Sequence, residues 1–433
     1  MSKKIILFSV LLLMTPALAL ASTARLEGLG VLPDFIEDYA NIFSYPVSVC
    51  RYPAVVIGEL GYEGGGGMGF GATMGLGQDN AYGVFGIMLR EHGMFSPLPQ
   101  LGSGNEGSQF DLLWGMNFEK VSLGLRFDNS SSKMEWADQD GDGMSFSPWY
   151  FYYGVSTDMI DPAYFNTMGI GVSGSMEVRE ADKVEATFEY RTFDFAIEEL
   201  GGDVAIEDAG NPSFGFWGRG FFTMNENVTL VPMAGYNKYD IGWEYKSDVA
   251  DDEDASDQTL TNMRAGLGMR VDVGSFFMLG VGFSQWKLNV DNTFGEAAPD
   301  PALVESFEFT GTSLPFLFGT FEASPKDWLT IRFGARKNML NEKSTITWVS
   351  GDDLTFESKN ANLTPDMRSY LYSEGIYVPY FEEPFAFSLG VGFKFNDIEI
   401  DATMNEDYPF TGMYWLSGDS ETPFGKISVT YYY

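Results

Sequence analysis

Residues 385–404 read FAFSLGVGFKFNDIEIDATM, a pattern of strand, turn and strand from which the fold can be predicted. Its first half alternates strictly, because every second residue is apolar: Phe385, Phe387, Leu389, Val391, Phe393 and Phe395. Successive side chains of a β-strand point to opposite faces, so the segment has one apolar face and one face of Ala, Ser, Gly and Lys. Asn396 is typical of a tight turn, and another strand follows it. The stretch therefore predicts two antiparallel strands with one apolar face.

The same period of two recurs throughout the chain, for example in residues 121–127, 184–191 and 263–272. A soluble β-sandwich alternates in the same way, so the lengths of segments and connections must separate the two architectures. The segments run about ten residues, which is the length that a tilted strand needs to cross a bilayer. The length favours membrane-spanning strands.

The phase of the alternation predicts sixteen strands. They cover residues 54–62, 68–76, 80–89, 108–117, 120–128, 167–178, 182–193, 213–224, 227–243, 259–272, 276–288, 313–324, 328–338, 385–395, 397–404 and 424–433. Short connections such as 118–119 and 225–226 alternate with long ones such as 129–166 and 339–384. Short periplasmic turns and long outer loops are typical of outer-membrane barrels. We predict an all-β fold, a transmembrane up-and-down antiparallel β-barrel over residues 54–433.

Composition excludes several classes of function. The chain has 433 residues with 26 Lys and Arg against 61 Asp and Glu, a net charge of −35, so nucleic acid is not an expected partner. Its single cysteine, Cys50, excludes an intramolecular disulfide framework. Its single histidine, His92, lies in an outer loop without a G-x-S-x-G motif nearby. We expect no enzyme, no catalytic residues and no organic cofactor.

The first 21 residues have the pattern of a signal peptide. Lys3 and Lys4 precede an apolar run over 5–14, and Ala19-Leu20-Ala21 fits a cleavage site. An N-terminal membrane anchor is the alternative. No later run reaches the roughly 18 apolar residues of a membrane helix. We therefore expect Sec-type export to the bacterial outer membrane, where lipid, lipopolysaccharide and the barrel-assembly machinery are the expected partners.

The C-terminal strand carries an apolar face that ends in an aromatic residue. Ile427, Val429, Tyr431 and Tyr433 share this face, with Lys426, Ser428 and Thr430 on the other. The pattern resembles the assembly signal of bacterial outer-membrane barrels, and a coincidental aromatic tail is the alternative. Aromatic residues near strand ends, Tyr82, Trp114, Trp243, Trp286 and Trp328, predict girdles at the two membrane interfaces.

Residues 22–53 do not alternate, and they contain proline. The segment holds Gly28, Gly30, Glu37, Asp38, Asn41, Ile42, Phe43 and Pro46. A glycine-containing start, an acidic stretch and an IF-x-x-P element resemble the start of FadL-like long-chain fatty-acid transporters and the related secretion-shuttle barrels. The resemblance implies a hatch folded into the barrel, with Asp38, Asn41, Phe43 and Pro46 as its residues. That class has fourteen strands, which is the alternative to the sixteen predicted above.

The sharpest local motif is Asp138-Gln-Asp140-Gly-Asp142-Gly143. Carboxylates at positions 1, 3 and 5 with glycine at position 6 match the first half of a calcium loop. Position 12 is Trp149 in place of the bidentate glutamate. The motif indicates either a weak calcium site at Asp138, Asp140 and Asp142 or an ordinary acidic outer loop.

The faces opposite the apolar ones concentrate basic residues, whereas the chain as a whole is acidic. We predict lumen charges at Arg126, Arg191, Arg219, Arg264, Arg270, Arg332, Arg336, Lys394, Lys426, Glu185 and Glu189. Such charges either pair across strands to hold the wall and the hatch or line a solvated passage. The predicted function is an outer-membrane channel or transporter for small solutes, hydrophobic ones among them. The alternative is a structural or secretion-partner barrel that transports nothing.

Overall fold

The computed structural model describes residues 23–61, 69–91, 108–134, 160–179, 182–199, 204–208, 210–240, 242–247, 255–293, 303–373, 384–404 and 424–433. Strands dominate these residues. They are β1 (Ala54–Gly61), β2 (Gly69–Gly75), β3 (Val84–Glu91), β4 (Ser108–Phe118), β5 (Val121–Met134), β6 (Ile160–Arg179), β7 (Asp182–Glu199), β8 (Val204–Asp208), β9 (Ser213–Asn225), β10 (Val228–Asp240), β11 (Trp243–Ser247), β12 (Ala255–Asp272), β13 (Phe276–Thr293), β14 (Val304–Lys326), β15 (Leu329–Trp348), β16 (Asp353–Lys359), β17 (Phe385–Phe395), β18 (Ile398–Met404) and β19 (Phe424–Tyr432).

The strands form one closed antiparallel sheet, because β1 pairs with both β2 and β19. Three positions around the barrel are each shared by two consecutive segments. Both β8 and β9 pair with β7, both β10 and β11 pair with β12, and both β16 and β17 pair with β15. The nineteen described segments thus occupy sixteen positions, which confirms the predicted sixteen strands. The fourteen-strand alternative is wrong.

Several strands extend far beyond the predicted ten residues. β12 to β15 run 18 to 23 residues each, so strand structure continues into the predicted outer connections 289–312 and 339–384. The prediction of those two connections as loops is wrong in this part. Backbone pairing continues there because neighbouring strands are long on both sides, and the side chains still alternate between a buried inner face and a more exposed outer face.

The outward face of the barrel is apolar in the part nearer the short periplasmic turns. Leu123, Val172 and Leu279 are 44–46% exposed, and many other large apolar side chains point the same way. In contrast, the neighbouring residues Arg126 and Ser173 are buried inside. An apolar outer belt with polar groups inside is the arrangement that a bilayer requires, since closure of the sheet pairs the backbone groups internally. The fold is a transmembrane barrel.

Residues 23–53, hereafter the hatch, lie inside the barrel. The hatch contains helices α1 (Thr23–Leu29) and α2 (Asn41–Ser44) and two 3-10 helices, Pro33–Phe35 and Pro46–Arg51. Helix α1 contacts β15, β17 and β18, whereas the second 3-10 helix contacts β4 and β5 on another side of the wall. The hatch therefore crosses the lumen.

Glycines in the wall allow the hatch backbone to approach closely. A Cβ atom at Gly334 would collide with the carbonyl group of Leu29, and one at Gly124 would collide with the backbone of Val47. Apolar side chains complete the contact: the Phe35 ring packs against the ring of Phe318 in β14, with 4.7 Å between centroids and 45° between the ring planes. Two further helices lie outside the hatch, the 3-10 helix Gln78–Asn80 and α3 (Pro365–Ser373). None of the described helices is long and apolar enough to cross a membrane.

Candidate functional site in the barrel lumen

An arginine ladder lines the lumen along β3, β4 and β5. Nε and Nη2 of Arg90 each donate a 2.8 Å hydrogen bond to one carboxylate oxygen of Asp111. Nε of Arg126 donates to the same carboxylate at 2.9 Å, and its Nη2 lies 3.1 Å from Asp128. Such bidentate, charge-assisted pairs fix the guanidinium planes.

The ladder holds the hatch at Phe43. Nη1 of Arg126 donates to the carbonyl oxygen of Phe43 at 2.9 Å. The guanidinium of Arg90 lies 4.1 Å from the centroid of the Phe43 ring, at cation–π distance. On β7, Arg191 extends the ladder through a 2.9 Å contact with Asp128 and an ion pair with Glu189. The predicted lumen charges Arg126, Arg191 and Glu189 therefore lie in one network.

Arg219 of β9 grips the hatch most closely. Its side chain and that of Glu185 are fully buried, and they pair at 2.8 Å. Nη1 of Arg219 also donates to the carbonyl oxygens of Pro33 at 3.0 Å and Ile36 at 2.8 Å. Asn41 accepts from both Nη1 and Nη2 at 3.2 Å. One wall residue thus holds the hatch at three places, Pro33, Ile36 and Asn41.

Further ion pairs surround this contact. Glu185 also pairs with Arg51 of the hatch and with Lys183 of β7. Arg264 of β12 lies 3.1 Å from Asp34, whose other carboxylate oxygen accepts a 3.0 Å hydrogen bond from the Tyr45 hydroxyl. The hatch is therefore charge-matched to the wall on this side.

A third group of ion pairs holds the start of the hatch. Arg25 of α1 pairs with Asp38 at 2.6 Å and with Glu322 of β14 at 2.9 Å. Arg332 of β15 pairs with Glu322 at 2.6 Å and also with Asp401 of β18. Arg25 thus joins two hatch segments to the wall.

The remaining predicted lumen charges lie outside these groups. Lys426 pairs with Glu27 of the hatch, and Arg270 pairs with Asp272 of its own strand at 2.7 Å. Arg336 is half-buried, and none of the described carboxylates pairs with it. Lys394 is exposed at the periplasmic end of β17.

The other predicted sites divide between the lumen, the wall and the undescribed parts of the chain. The hatch residues Asp38, Asn41, Phe43 and Pro46 are all buried in the lumen. Ile427, Val429 and Tyr431 pair with both β1 and β18 at the closure of the barrel, and Tyr433 follows the end of β19. Their role in assembly stays a prediction.

The calcium motif Asp138, Asp140 and Asp142 and also His92 lie outside the described residues, so calcium stays a prediction. Among the described residues, no group of three His, Cys, Asp or Glu side chains is arranged to hold a metal ion.

Burial shifts the ionisation of hatch groups. It raises the pKa of the Cys50 thiol to about 11, against the weaker opposite effect of Arg51. Burial and the Asp34 carboxylate raise the pKa of Tyr45 well above its ordinary value. The interior around the hatch therefore favours neutral thiol and phenol groups, and tolerates charge where an opposite charge lies beside it.

The outer half of the lumen has a different lining, hereafter the outer apolar cluster. It comprises Phe193, Tyr239, Leu260, Leu288, Val290, Val304, Phe307, Phe309, Ile346 and Leu363, with Trp286, Trp348, Phe356 and Met367 packed against it. Phe309 and Ile346 are fully buried. Except for Leu363 and Met367, these side chains face inward from seven strands, in the part of the barrel beyond the hatch.

The connection between β16 and β17 closes over this cluster. Glu342, on the inner face of β15, accepts hydrogen bonds from the Leu363 amide at 2.6 Å and from Nη2 of Arg368 at 2.8 Å. Leu363 and Met367 pack into the cluster. Residues 360–373, which include α3, therefore form a cap, held at its polar edge by one carboxylate.

Sequence reasoning missed the outer apolar cluster. In β13 the odd-numbered, outward residues are apolar from Phe277 to Phe283 and polar from Gln285 onward, whereas beyond Ser284 the even-numbered, inward residues Trp286, Leu288 and Val290 are apolar. This change of apolar phase within one strand is readable in the sequence and marks where the strand leaves the bilayer. It also corrects the prediction of Trp286 as a girdle residue, since Trp286 faces the lumen.

No protein-family model matches the chain, and no curated protein matches it. Among solved structures, a FadL homologue from Pseudomonas aeruginosa is similar at 12% identity and a TM-score of 0.40, covering 95% of this chain and 98% of that one. The toluene transporter TodX of Pseudomonas putida is similar at 10% identity and a TM-score of 0.36, covering 90% and 91%.

The siderophore receptor PiuA of Acinetobacter baumannii is similar at 9% identity and a TM-score of 0.40 over 73% of this chain, which spans only 53% of the receptor. The resemblance to FadL-like barrels predicted from the N-terminal residues thus recurs among solved structures.

Proposed function

We propose that the protein is an outer-membrane barrel that takes up small apolar solutes. The outer apolar cluster receives the solute, and the hatch closes the lumen beneath it. The observation that carries the proposal is the inward-facing cluster itself, with Phe307, Phe309 and Ile346 fully or almost fully buried. A water-filled pore would place polar side chains there.

The outer apolar cluster suits an apolar ligand because its side chains are apolar and the cap covers them. Ligand sites are mostly apolar with a few placed polar groups, and here Glu342 and Arg368 lie at the edge of the cap. Burying an apolar solute of six to ten carbons against these side chains stabilises it by roughly 25 cal/mol for each Å² removed from water. The solute would replace cap side chains such as Met367.

The presence of the hatch in the lumen favours a gated passage rather than an open pore. It crosses the lumen, and Arg126 and Arg219 of the wall donate to the carbonyl oxygens of Phe43 and Pro33. Arg25 of the hatch shares the Glu322 carboxylate of the wall with Arg332. For a solute to pass from the outer apolar cluster to the periplasm, the hatch would have to shift. We therefore expect low basal conductance together with measurable solute binding.

The test is equilibrium binding of the apolar fluorescent probe N-phenyl-1-naphthylamine to the purified barrel, with toluene, octanol and glucose as competitors. Phe309→Gln introduces a polar side chain into the cluster, and Phe333→Gln is the matched control because Phe333 faces the lipid. Folding of both is checked by heat-modifiable migration on detergent gels. Losing a phenyl group's burial costs about 1.5–3 kcal/mol, so Phe309→Gln should weaken specific binding by roughly ten- to hundredfold.

Toluene and octanol should displace the probe from the wild type, and glucose should not. Equal probe binding by Phe309→Gln and Phe333→Gln would overturn the proposal. A barrel that neither binds the probe nor conducts ions in planar bilayers would favour the second candidate, a structural or secretion-partner barrel. The long outer extensions of β12 to β15, which offer surface to another protein, favour that candidate.

A further inference from the structure

One row of residues crosses the outward face of the barrel from β10 to β16. The registers of neighbouring strands place these residues side by side: Lys238, Thr261, Lys287, Thr310, Lys343 and Glu357. Lysine and threonine alternate along it, so the three lysines stand on every second barrel position. With neighbouring strands ~4.8 Å apart, successive lysines are separated by roughly 10 Å at the backbone. This set is hereafter the lysine row.

The inner neighbours of the row fix its outward direction. Tyr239, Leu260, Leu288, Phe309 and Phe356 each adjoin a member of the row in sequence, and all five belong to the outer apolar cluster inside the barrel. Because side chains alternate between faces, the row itself faces out. It therefore lies on the surface that meets the membrane and its headgroups.

The height of the row matches the headgroup layer. From the periplasmic starts of β10, β13 and β15 to Lys238, Lys287 and Lys343, the strands run about 10, 11 and 14 residues. At ~3.3 Å per residue and a tilt of ~40°, these lysines stand roughly 25, 28 and 35 Å above the periplasmic ends. The apolar belt of such a barrel is about 25 Å tall, so the row climbs from its outer edge into the headgroups.

The lysines keep donors free for a ligand. Lys343 is exposed, and none of the described carboxylates pairs with it. Lys287 lies 3.3 Å from Glu308 and is 40% exposed, and Lys238 lies 2.8 Å from Asp240 and is 32% exposed. An ammonium group has three donors, so one such contact leaves two.

The position is unusual for this chain. Only 26 of its residues are basic against 61 acidic ones, and most of its arginines are committed to the lumen. The three lysines of the row therefore stand out on an acidic chain, although Asp240 and Glu308 lie beside two of them.

We propose that the lysine row binds the phosphate groups of a phosphorylated glycolipid in the outer leaflet. Lysine binds phosphate as a point charge, and the threonine hydroxyls between the lysines add donors. Glu308 lies beside the row and Glu357 ends it, and a divalent cation can join either carboxylate to a phosphate. This inference does not depend on the proposed transport function, because the row faces away from the lumen.

The experiment compares two triple variants of the full-length barrel purified in mild detergent. Lys238→Gln/Lys287→Gln/Lys343→Gln removes the row. Lys120→Gln/Arg179→Gln/Lys326→Gln removes the same charge at the periplasmic turns, where all three residues are exposed. Native mass spectrometry measures phosphorylated glycolipid retained per barrel, and the thermal transition is followed after adding purified lipopolysaccharide.

The wild type and the periplasmic variant should retain glycolipid and gain thermal stability on its addition. The row variant should retain several-fold less and gain little, while its binding of N-phenyl-1-naphthylamine stays unchanged. Should the triple variant fail to assemble, Lys343→Glu alone serves, with Lys326→Glu as its control. Equal retention by the row variant and the periplasmic variant would overturn the proposal, as would equal retention by the two single variants.

Discussion

Both halves of the lumen contain packed apolar side chains, but they differ in how much charge they bury. Around the hatch, wall arginines such as Arg219 and Arg332 pair with carboxylates, and Arg126 and Arg219 also donate to hatch carbonyl groups. In the outer half, apolar side chains pack together, and one carboxylate, Glu342, ties down the cap. A buried charge needs its partner at a defined place, whereas apolar contacts accept substitutes of similar volume.

This difference indicates a division of labour. The ion pairs specify one position of the hatch, because displacing it would leave several charges buried and unpaired. The outer cluster can exchange its cap side chains for an apolar molecule at little cost, because carbon contacts are not directional. The hatch half is therefore the selective closure, and the outer half is the adaptable one.

The largest effect is expected when the hatch is removed. Deleting residues 24–48 should raise single-channel conductance in planar bilayers, because a sixteen-strand barrel without filling is wide enough to conduct water. Migration on detergent gels must remain heat-modifiable, which identifies a folded barrel. Unchanged conductance of a folded deletion variant would contradict a closing role for these residues.

A single substitution should loosen the same closure. Arg219→Ala leaves Glu185 buried without its closest partner and removes the donors to Pro33 and Ile36. Breaking one partner of a buried ion pair costs about 3–5 kcal/mol, so we expect the hatch to open frequently and conductance to fluctuate. Arg270→Ala is the matched control, because its pair with Asp272 is partly exposed and contributes at most about 1 kcal/mol. Equal traces from the two variants would contradict the prediction.

Weakening the hydrogen bonds that Glu342 accepts should loosen the cap and leave the hatch unchanged. Glu342→Gln keeps the shape of the side chain but removes its negative charge. The hydrogen bonds that it accepts from Arg368 and from the Leu363 amide become weaker, at a cost of about 1–3 kcal/mol. Hydrogen exchange over residues 360–373 should become faster, while exchange in the hatch and the conductance stay as in the wild type. Asp352→Asn, at an exposed turn of the same region, is the control. Faster exchange in the hatch would show that the two halves are coupled.

Local patterns predict the wall better than they predict its filling. The period of two in segments such as 263–272 is enough to count sixteen strands, because each strand must present a lipid-facing side. The contacts of Arg219 with Pro33 span 186 residues, and no local pattern specifies which arginine meets which carbonyl group. The outer cluster was missed for another reason: above the bilayer the apolar side of β13 turns inward, so a rule that equates apolar with lipid-facing fails there.

The smallest expected effect concerns the thiol of Cys50, which reports on the hatch chemically. Burial raises its pKa to about 11 from 9.0, so at pH 8 its thiolate fraction should be about a hundredfold lower than that of an ordinary thiol. Maleimide labelling should therefore be slow in the wild type and keep accelerating up to a pH near 11. Because the folded pKa is raised, this group's contribution to stability is complete below pH 9 and is lost as the pH rises towards 11. In Arg219→Ala the loosened hatch should label several-fold faster at pH 8, and in Glu342→Gln the rate should not change. A wild-type rate equal to that of a free thiol would mean that Cys50 is open to water, and that the closure on its side of the lumen is looser than the ion pairs indicate.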